Sequence, residues 1–427
     1  MRFRAWMFMA LLPALLACSS DDTTEPANQP PTISFTFKPI AVGKGPGSSA
    51  ILTVAISDPD ADDQLVVNWT ITRGALTPLN AQQTQARWSI PVTIGMDTVA
   101  AVVSDGEATA SVEAEIAVGT LKFSNSMQTG WDPAGSPFIL EPLNNGITTL
   151  SPGQTINMPA GIEILFGTPG GSIQVEGTLN LMGTAANPIV IRPNDRTLRC
   201  QSGRGWWEGI RVFGLDGAVV ADYTEVWYGR RNVWLREFGS ATLTNSVLRC
   251  GGEAGVAIGG TGSLSIDNCF IDNNLVDGIL IEQESSTQTL TSVSITNSNI
   301  SINGNTGIRM DIRDVVMNVP ITVGFNRIEA NFTHGIFLAN SVFPDIHNNH
   351  FESNGLSGGT SNLWLDLGYP GGVTFNSLDC TNNFWGAVFA DSIGIAATIR
   401  DRWDAPAAVG TYVLVDPWLN TSPVPSP

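Results

Sequence analysis

The sequence predicts an all-β chain, a small β-sandwich followed by a long solenoid of stacked parallel strands. Three observations carry this. The apolar pairs Gly209-Ile210, Asn232-Val233, Gly255-Val256 and Gly278-Ile279 recur at a constant 23 residues. The column continues at wider steps through Gly307-Ile308, Gly335-Ile336 and Asn362-Leu363. Between these points the chain is rich in Val, Ile and Thr, is punctuated by Gly and Asn, and has no helical periodicity. One such unit cannot bury its apolar face alone, so stacking supplies the core.

The first residues read as an address. Arg2 and Arg4 precede an apolar run from Ala5 to Ala17. As a helix that run reaches ~20 Å, short of a ~30 Å hydrocarbon core, so residues 1–17 are a signal segment and not a span. The run ends Leu15-Leu16-Ala17-Cys18, which resembles the bacterial lipobox. The resemblance implies acylation of Cys18 as the mature N-terminus, and Ser19 at the next position points to an outer-membrane lipoprotein facing the periplasm or the cell surface. An ordinary signal cleaved nearby is the alternative. Residues 18–30 are polar, acidic and Pro-containing, as a flexible tether would be. No later run is long and apolar enough to span a bilayer.

Residues 31–118 predict the sandwich. Alternating runs at 50–56, 65–71, 98–103 and 108–118 are separated by Gly, Pro and Asp clusters. Ile56-Ser-Asp-Pro-Asp60, Asn68-Trp69 and Val103-Ser-Asp-Gly106 resemble Ig-like modules of the polycystic-kidney-disease and cadherin-like kind. Trp69 is expected as a core anchor between the sheets. Asp58, Asp60, Asp62 and the adjacent Asp63 offer hard oxygen ligands to Ca²⁺. Ala61 stands where that loop usually has Gly, and a solvated acidic turn is the alternative.

Residues 119–420 predict the solenoid, with 421–427 as a disordered tail. Each column residue opens an alternating run such as Ile279-Leu-Ile281, so its i and i+2 side chains point inward. About ten residues earlier stands an Asn (Asn245, Asn268, Asn297, Asn326, and Asn349 or a neighbour), suited to turns and to an inter-coil amide ladder. The openings Ser172-Ile-Gln-Val-Glu-Gly-Thr-Leu179 and Gly183-Thr-Ala-Ala-Asn-Pro-Ile-Val190 resemble those of right-handed parallel β-helices, the pectate-lyase-like solenoids of bacterial surface proteins. So do the landmarks Trp207-Glu-Gly-Ile210, Asn382-Asn-Phe-Trp-Gly386 and Asp416-Pro-Trp-Leu419. The resemblance implies the fold and leaves the activity open, because such folds host lyases, hydrolases and proteins without known chemistry.

Charge narrows the partners. With 21 Lys+Arg against 39 Asp+Glu the net charge is −18. An acidic chain without a basic tract is a poor candidate for nucleic acid or for anionic lipid headgroups. A strongly anionic glycan is disfavoured unless a local cationic patch intervenes. Besides Cys18 there are Cys200, Cys250, Cys269 and Cys380. Register counting stacks no two of them on adjacent coils, which favours unpaired, mostly buried thiols.

No zinc spacing, nucleophile elbow or phosphate loop occurs. His347 and His350 flank Asn348-Asn349, where a polar turn explains them better than metal ligation. The register gives a sharper lead. One residue after each column position the chain places Arg211, Trp234, Ala257, Leu280, Arg309, Phe337 and Trp364 on the outer face. Two further on, where the strand continues, come Phe213, Arg236, Gly259, Glu282, Asp311, Ala339 and Asp366. Aromatic rings stack on sugar rings, while Arg and carboxylates orient hydroxyls or acidic groups. Trp234, Arg236, Arg309, Phe337, Trp364 and Asp366 are therefore candidate polysaccharide contacts. Glu282 and Asp311, matched on consecutive coils, are weak candidates for an acid–nucleophile or Ca²⁺ pair, with Arg309 as charge stabiliser. A polysaccharide lyase or glycoside hydrolase on this face, and an adhesive rod whose stripe is covered by the insertions after Ile281 and Met310, remain alternatives.

Overall fold

The computed structural model describes residues 27–39, 41–44, 47–60, 62–122, 125–127, 129–141, 146–167, 169–194, 198–282, 290–312, 320–340, 344–355, 362–366, 377–386, 392–400 and 412–424. Cys18, the signal segment and the insertions at 283–289 and 313–319 lie outside the described residues. The chain is all-β, with one short α-helix, Ser392–Ala396, and one 3-10 turn, Pro133–Gly135, among the described residues. None of the described helices is long and apolar enough to cross a membrane.

The sandwich has one sheet of Thr32–Phe37, Ser49–Ser57, Gln85–Ser89 and Ala75–Pro78, all antiparallel. The opposing layer contains Val66–Ile71, Gly95–Ser104 and Thr109–Lys122. Its core is built on Trp88, fully buried, whose indole N–H donates to the Arg73 carbonyl at 3.0 Å. Trp69, the expected anchor, is only half-buried and sends its Nε1 to the Gln83 carbonyl. The alternating Gln85–Ser89 run, overlooked in the sequence, places the bulkier anchor. Thr109–Lys122 is long enough to serve two neighbours. Its first ten residues pair antiparallel with Gly95–Ser104, and Thr120–Lys122 pair in parallel with Phe138–Leu140 of the solenoid. One thirteen-stranded sheet thus runs from the sandwich into the solenoid.

The solenoid is a parallel β-helix with three faces. Sheet I has ten strands, from Ile147–Leu150 through Ser172–Val175, Gly209–Val212, Arg231–Arg236, Ala254–Gly259, Asp277–Glu282, Thr306–Ile312, His334–Asn340 and Leu363–Asp366 to Ile399–Arg400. Sheet II has eight, from Thr155–Pro159 to Asp345–His347. Sheet III is the solenoid part of the thirteen-stranded sheet, ending at His350–Glu352. Successive coils pair in register: Ile210 with Val233, Val233 with Val256, Val256 with Ile279, Ile279 with Ile308, Ile308 with Ile336 and Ile336 with Leu363. All these column residues are buried. Trp207 stacks on Phe166 at 4.4 Å and Trp385 on Phe351 at 4.8 Å within the same core.

Two corner columns frame each short strand of sheet III. One holds Asn245, Asn268, Asn297, Phe325, Asn348 and Asn382 in left-handed backbone, and the other holds Tyr228, Cys250, Asn273, Ile302, Ala330 and Ser353. The expected ladder of Asn residues was therefore two columns read as one. Asn268 does donate to Asn245 at 2.6 Å on the surface, but Asn297 donates to Asp267. Asn326 and Asn349 stand one residue later, inside, where Asn326 donates to Asn349 and Asn349 to Asn383. A longer buried ladder follows the second corner, Asn274 to Asn303 to Asn331 to Asn354 to Asn362, each step at 2.9–3.1 Å.

The cysteine expectation is half corrected. Cys200 and Cys250 are bonded, with Cα atoms 4.9 Å apart. Register counting failed because Cys200 is not on a coil. It lies in an excursion between Ile189–Pro193 and Gly209–Val212 that folds back onto the corner column. Closing a loop with a separation of 50 residues stabilises the fold by up to about 4 kcal/mol in the chain-entropy picture. Cys269 and Cys380 are free and buried. Burial pushes the Cys269 thiol up to about 12 and raises Cys380 as well.

The register is testable at one coil. Ile279 is fully buried and Leu280, on the outer side, is half-buried. Ile279→Asp would place a carboxyl without partners between coils and should cost several kcal/mol. Leu280→Asp should cost far less. Thermal melts of the two variants decide this, and equal melting temperatures would show a one-residue error in register.

Candidate functional site

Strand pairing in sheet I sets the outer face. Arg211 pairs with Trp234, Trp234 with Ala257, Ala257 with Leu280, Leu280 with Arg309, Arg309 with Phe337 and Phe337 with Trp364. The second line runs Arg236, Gly259, Glu282, Asp311, Ala339, Asp366. The Asp366 side chain is outside the described residues, and only its backbone position is placed. Ala257, between the larger Trp234 and Leu280, is fully buried, so the stripe offers no exposed side chain at that coil.

Two clusters remain. In the first, the guanidinium groups of Arg231, Arg236 and Arg211 lie 4.4, 4.8 and 5.4 Å from the centre of the Trp234 ring. Arg211 and Arg236 also approach Phe213. These contacts keep the guanidinium groups desolvated and oriented against rings. Arg231 is neutralised by Glu253 at 2.8 Å and Glu282 at 2.9 Å, and Arg230 by Glu253. Arg211 makes no ion pair among the described residues. Burial lowers its pKa, and the charges of Arg236 and Arg230 add to that, against Glu208. In the second cluster, His334 lies 4.9 Å from the Trp364 ring and 5.6 Å from Phe337, with Arg309 5.5 Å from Phe337.

Arg231 and His334 escaped the sequence reading. Strict alternation counted back from Val233 and Ile336 faces them differently. The alternation breaks where two successive residues are buried, Asn232-Val233 and Gly335-Ile336, so both side chains join the face. Glu282 and Asp311 are matched across coils as expected, but Glu282 is committed to Arg231, and Arg309 lies 3.9 Å from Asp311.

Asp277 was also missed. It is 2% exposed, and accepts hydrogen bonds from Asn305 Nδ2 at 3.0 Å and the Thr306 N–H at 3.2 Å. Burial pushes its carboxyl up to about 6 despite Arg309 and these bonds.

In the sandwich, Asp58, Asp60 and Asp63 bring one oxygen each within 4.8 Å of one another, whereas Asp62 is exposed and outside this group. The turn closes through Asp60 N–H to Asp58 at 2.9 Å, and the Gln29 N–H donates to Asp60 at 2.7 Å. Burial, then Asp58 and Asp60, raises the Asp63 carboxyl.

Residues 192–392, just under half of the chain, match a family model described as periplasmic copper-binding protein (NosD). No curated protein and no solved structure gives a match. Copper prefers imidazole, thiolate and thioether ligands. Among the described residues the histidine-containing group with three ligand atoms together is Glu329, His350 and Glu352. Its space is crossed by Arg327, whose Nη1 lies 2.8 Å from Glu329 and 3.4 Å from His350 Nε2. His350 Nε2 meets Glu352 at 2.9 Å, and burial lowers its pKa. His347 is held by Asp345 and the Thr381 carbonyl, and Cys269 donates to backbone carbonyls. A single imidazole with two carboxylates, one paired to a guanidinium and the other to the imidazole itself, does not fit copper.

The Asp277 shift sets a pH dependence. Its folded pKa of about 6 lies above the ordinary 3.8, so the native state holds the proton longer than the unfolded chain. Stability from this group is full below about pH 4 and is lost as pH rises through about 6, by roughly 3 kcal/mol at most. Asp277→Asn keeps the acceptor and removes the charge. It should melt above the parent at pH 7.5, with the gap closing at pH 4. A pH-independent gap would count against the buried-charge account.

Proposed function

We propose that this is a cell-envelope β-helix protein that binds an extended polysaccharide along the outer face of sheet I. The observation that carries the reading is the pair of arginine–aromatic clusters at the two ends of one strand ladder. Trp234 and Arg309 stand three coils apart, ~14 Å at strand spacing, a separation that suits a polymer better than a single sugar. The rings of Phe337 and Trp364 serve as stacking surfaces. Trp234 has a different role, since guanidinium groups cover its ring. It holds Arg211 and Arg236 in place to meet hydroxyl or acidic groups. The clusters supply the local cationic patch that an acidic chain needs for such a ligand. The commitment of Glu282 to Arg231 favours binding over hydrolysis on this face.

The test is a glycan array followed by calorimetric titration of the best hit. Phe337→Ala and Trp364→Ala should each weaken binding by about tenfold, or about 1.4 kcal/mol, without lowering the melting temperature greatly. Arg309→Ala should have the larger effect on an acidic glycan. Folded aromatic variants that bind as tightly as the parent would remove this face from consideration.

The envelope placement rests on the signal-like N-terminus, on the disulfide, which suits an oxidising compartment, and on the periplasmic description of the matched family. We place the anchor at Cys18, with acyl chains giving stable membrane attachment. Cys18→Ser should accumulate as a precursor that takes up no labelled palmitate. Unchanged labelling would exclude the lipoprotein reading.

A further inference from the structure

A cleft of about 600 Å³ opens where the sandwich meets the first coils of the solenoid. Its volume falls within the ~300–1,000 Å³ typical of small-molecule sites, which favour such junctions. Phe37 and Ile51 line it from the sandwich, and Leu121, Ile139 and Trp206 from the solenoid side. Phe37 is 58% exposed and Ile51 44%, so apolar surface at the mouth is left in water.

One carboxyl enters this lining. Glu141 makes no ion pair among the described residues, and burial alone raises its pKa. The nearest cation in sequence does not answer it. The Lys122 carbonyl accepts the Glu141 N–H at 3.1 Å, but the Lys122 ammonium lies over the Trp131 and Phe138 rings. Gly167 makes the room for the carboxylate, since a Cβ there would lie 2.9 Å from Glu141 Oε1. The walls are tied together. Asn194 of the solenoid accepts from the Ala41 N–H at 2.7 Å and donates to the Ala41 carbonyl at 2.6 Å. The Trp206 carbonyl accepts from the Gly170 N–H at 2.8 Å. The space is formed before any ligand arrives.

We propose that this cleft binds a small apolar molecule carrying one positive charge, with its ammonium on Glu141 and its apolar body against Phe37, Ile51 and Trp206. An unpaired carboxylate among apolar walls favours a cation, because attraction grows as water is excluded. Aromatic faces add to that preference. An anion would meet both Glu141 and the net charge of −18.

The experiment titrates the purified protein at pH 8 with phenethylammonium, 2-phenylethanol and phenylacetate, which share size and differ in charge. Binding is read by calorimetry and by the indole fluorescence. The ammonium should bind at least about tenfold more tightly than the alcohol, and the carboxylate should not bind. Glu141→Gln should remove the preference for the ammonium while leaving the alcohol unchanged. Ile51→Lys, at an exposed position, should weaken the ammonium more than the alcohol, which loses only the apolar contact, and serves if the first variant unfolds. Absence of binding by the ammonium, equal binding of ammonium and alcohol, or unchanged ammonium affinity in Glu141→Gln or Ile51→Lys would each overturn the proposal.

Discussion

The solenoid depends on one interlock, a buried amide ladder lying against a column of glycines. In Asn303 every hydrogen-bonding group of the side chain is used. Its Oδ1 accepts from the backbone and side chain of Asn274, and its Nδ2 donates to the Ile271 carbonyl and to Asn331. A fully satisfied polar network inside an apolar core fixes one arrangement, since any slip leaves buried donors and acceptors unpaired. The ladder needs space from the facing strand. A Cβ at Gly255, Gly278, Gly307 or Gly335 would lie 2.9, 2.7, 2.8 or 3.0 Å from the Nδ2 of Asn274, Asn303, Asn331 or Asn354. Each of these four glycines is the imprint of an amide one corner away.

That interlock explains which features could be read from the sequence. Inward and outward faces follow from the column, because a period of two runs forward from each column residue and parallel pairing copies it to the next coil, whereas before the column the alternation breaks. Ile279 and Leu280 fall on opposite sides for that reason. The ladder was harder to place. Its members lie next to left-handed corner residues of the same chemical type, and Asn297 and Asn326 differ by one column while looking alike in sequence. Insertions between coils change the spacing from 23 residues for Asn245 to Asn268 to 29 for Asn268 to Asn297, which hides a one-residue offset.

The remaining misses share a cause. Cys200 belongs to an excursion and so does not follow the repeat of the coils around it, and Trp88 belongs to a short sandwich strand outside the repeat. Glu141 and Gly167 meet across a junction, where the partner of a residue is set by how two differently built parts dock. Local pattern carries no information about that. Asp277 is likewise hidden from local pattern, because its hydrogen bonds come from Asn305 and Thr306 on the next coil.

Electrostatics then sorts the two proposed sites. The chain is acidic, yet its outer face on sheet I concentrates arginines that aromatic rings hold in position, whereas the junction presents a carboxylate with no ion pair among the described residues. One face suits hydroxyl and acidic groups and the other suits a cation, so a single ligand would not satisfy both. The short segment Trp206–Arg211 reaches both places. Trp206 lines the cleft, Trp207 is fixed in the core by its stack on Phe166 and its bond to the Trp227 carbonyl, and Arg211 belongs to the first cluster. A residue as firmly held as Trp207 between them makes the two sites neighbours on one rigid support.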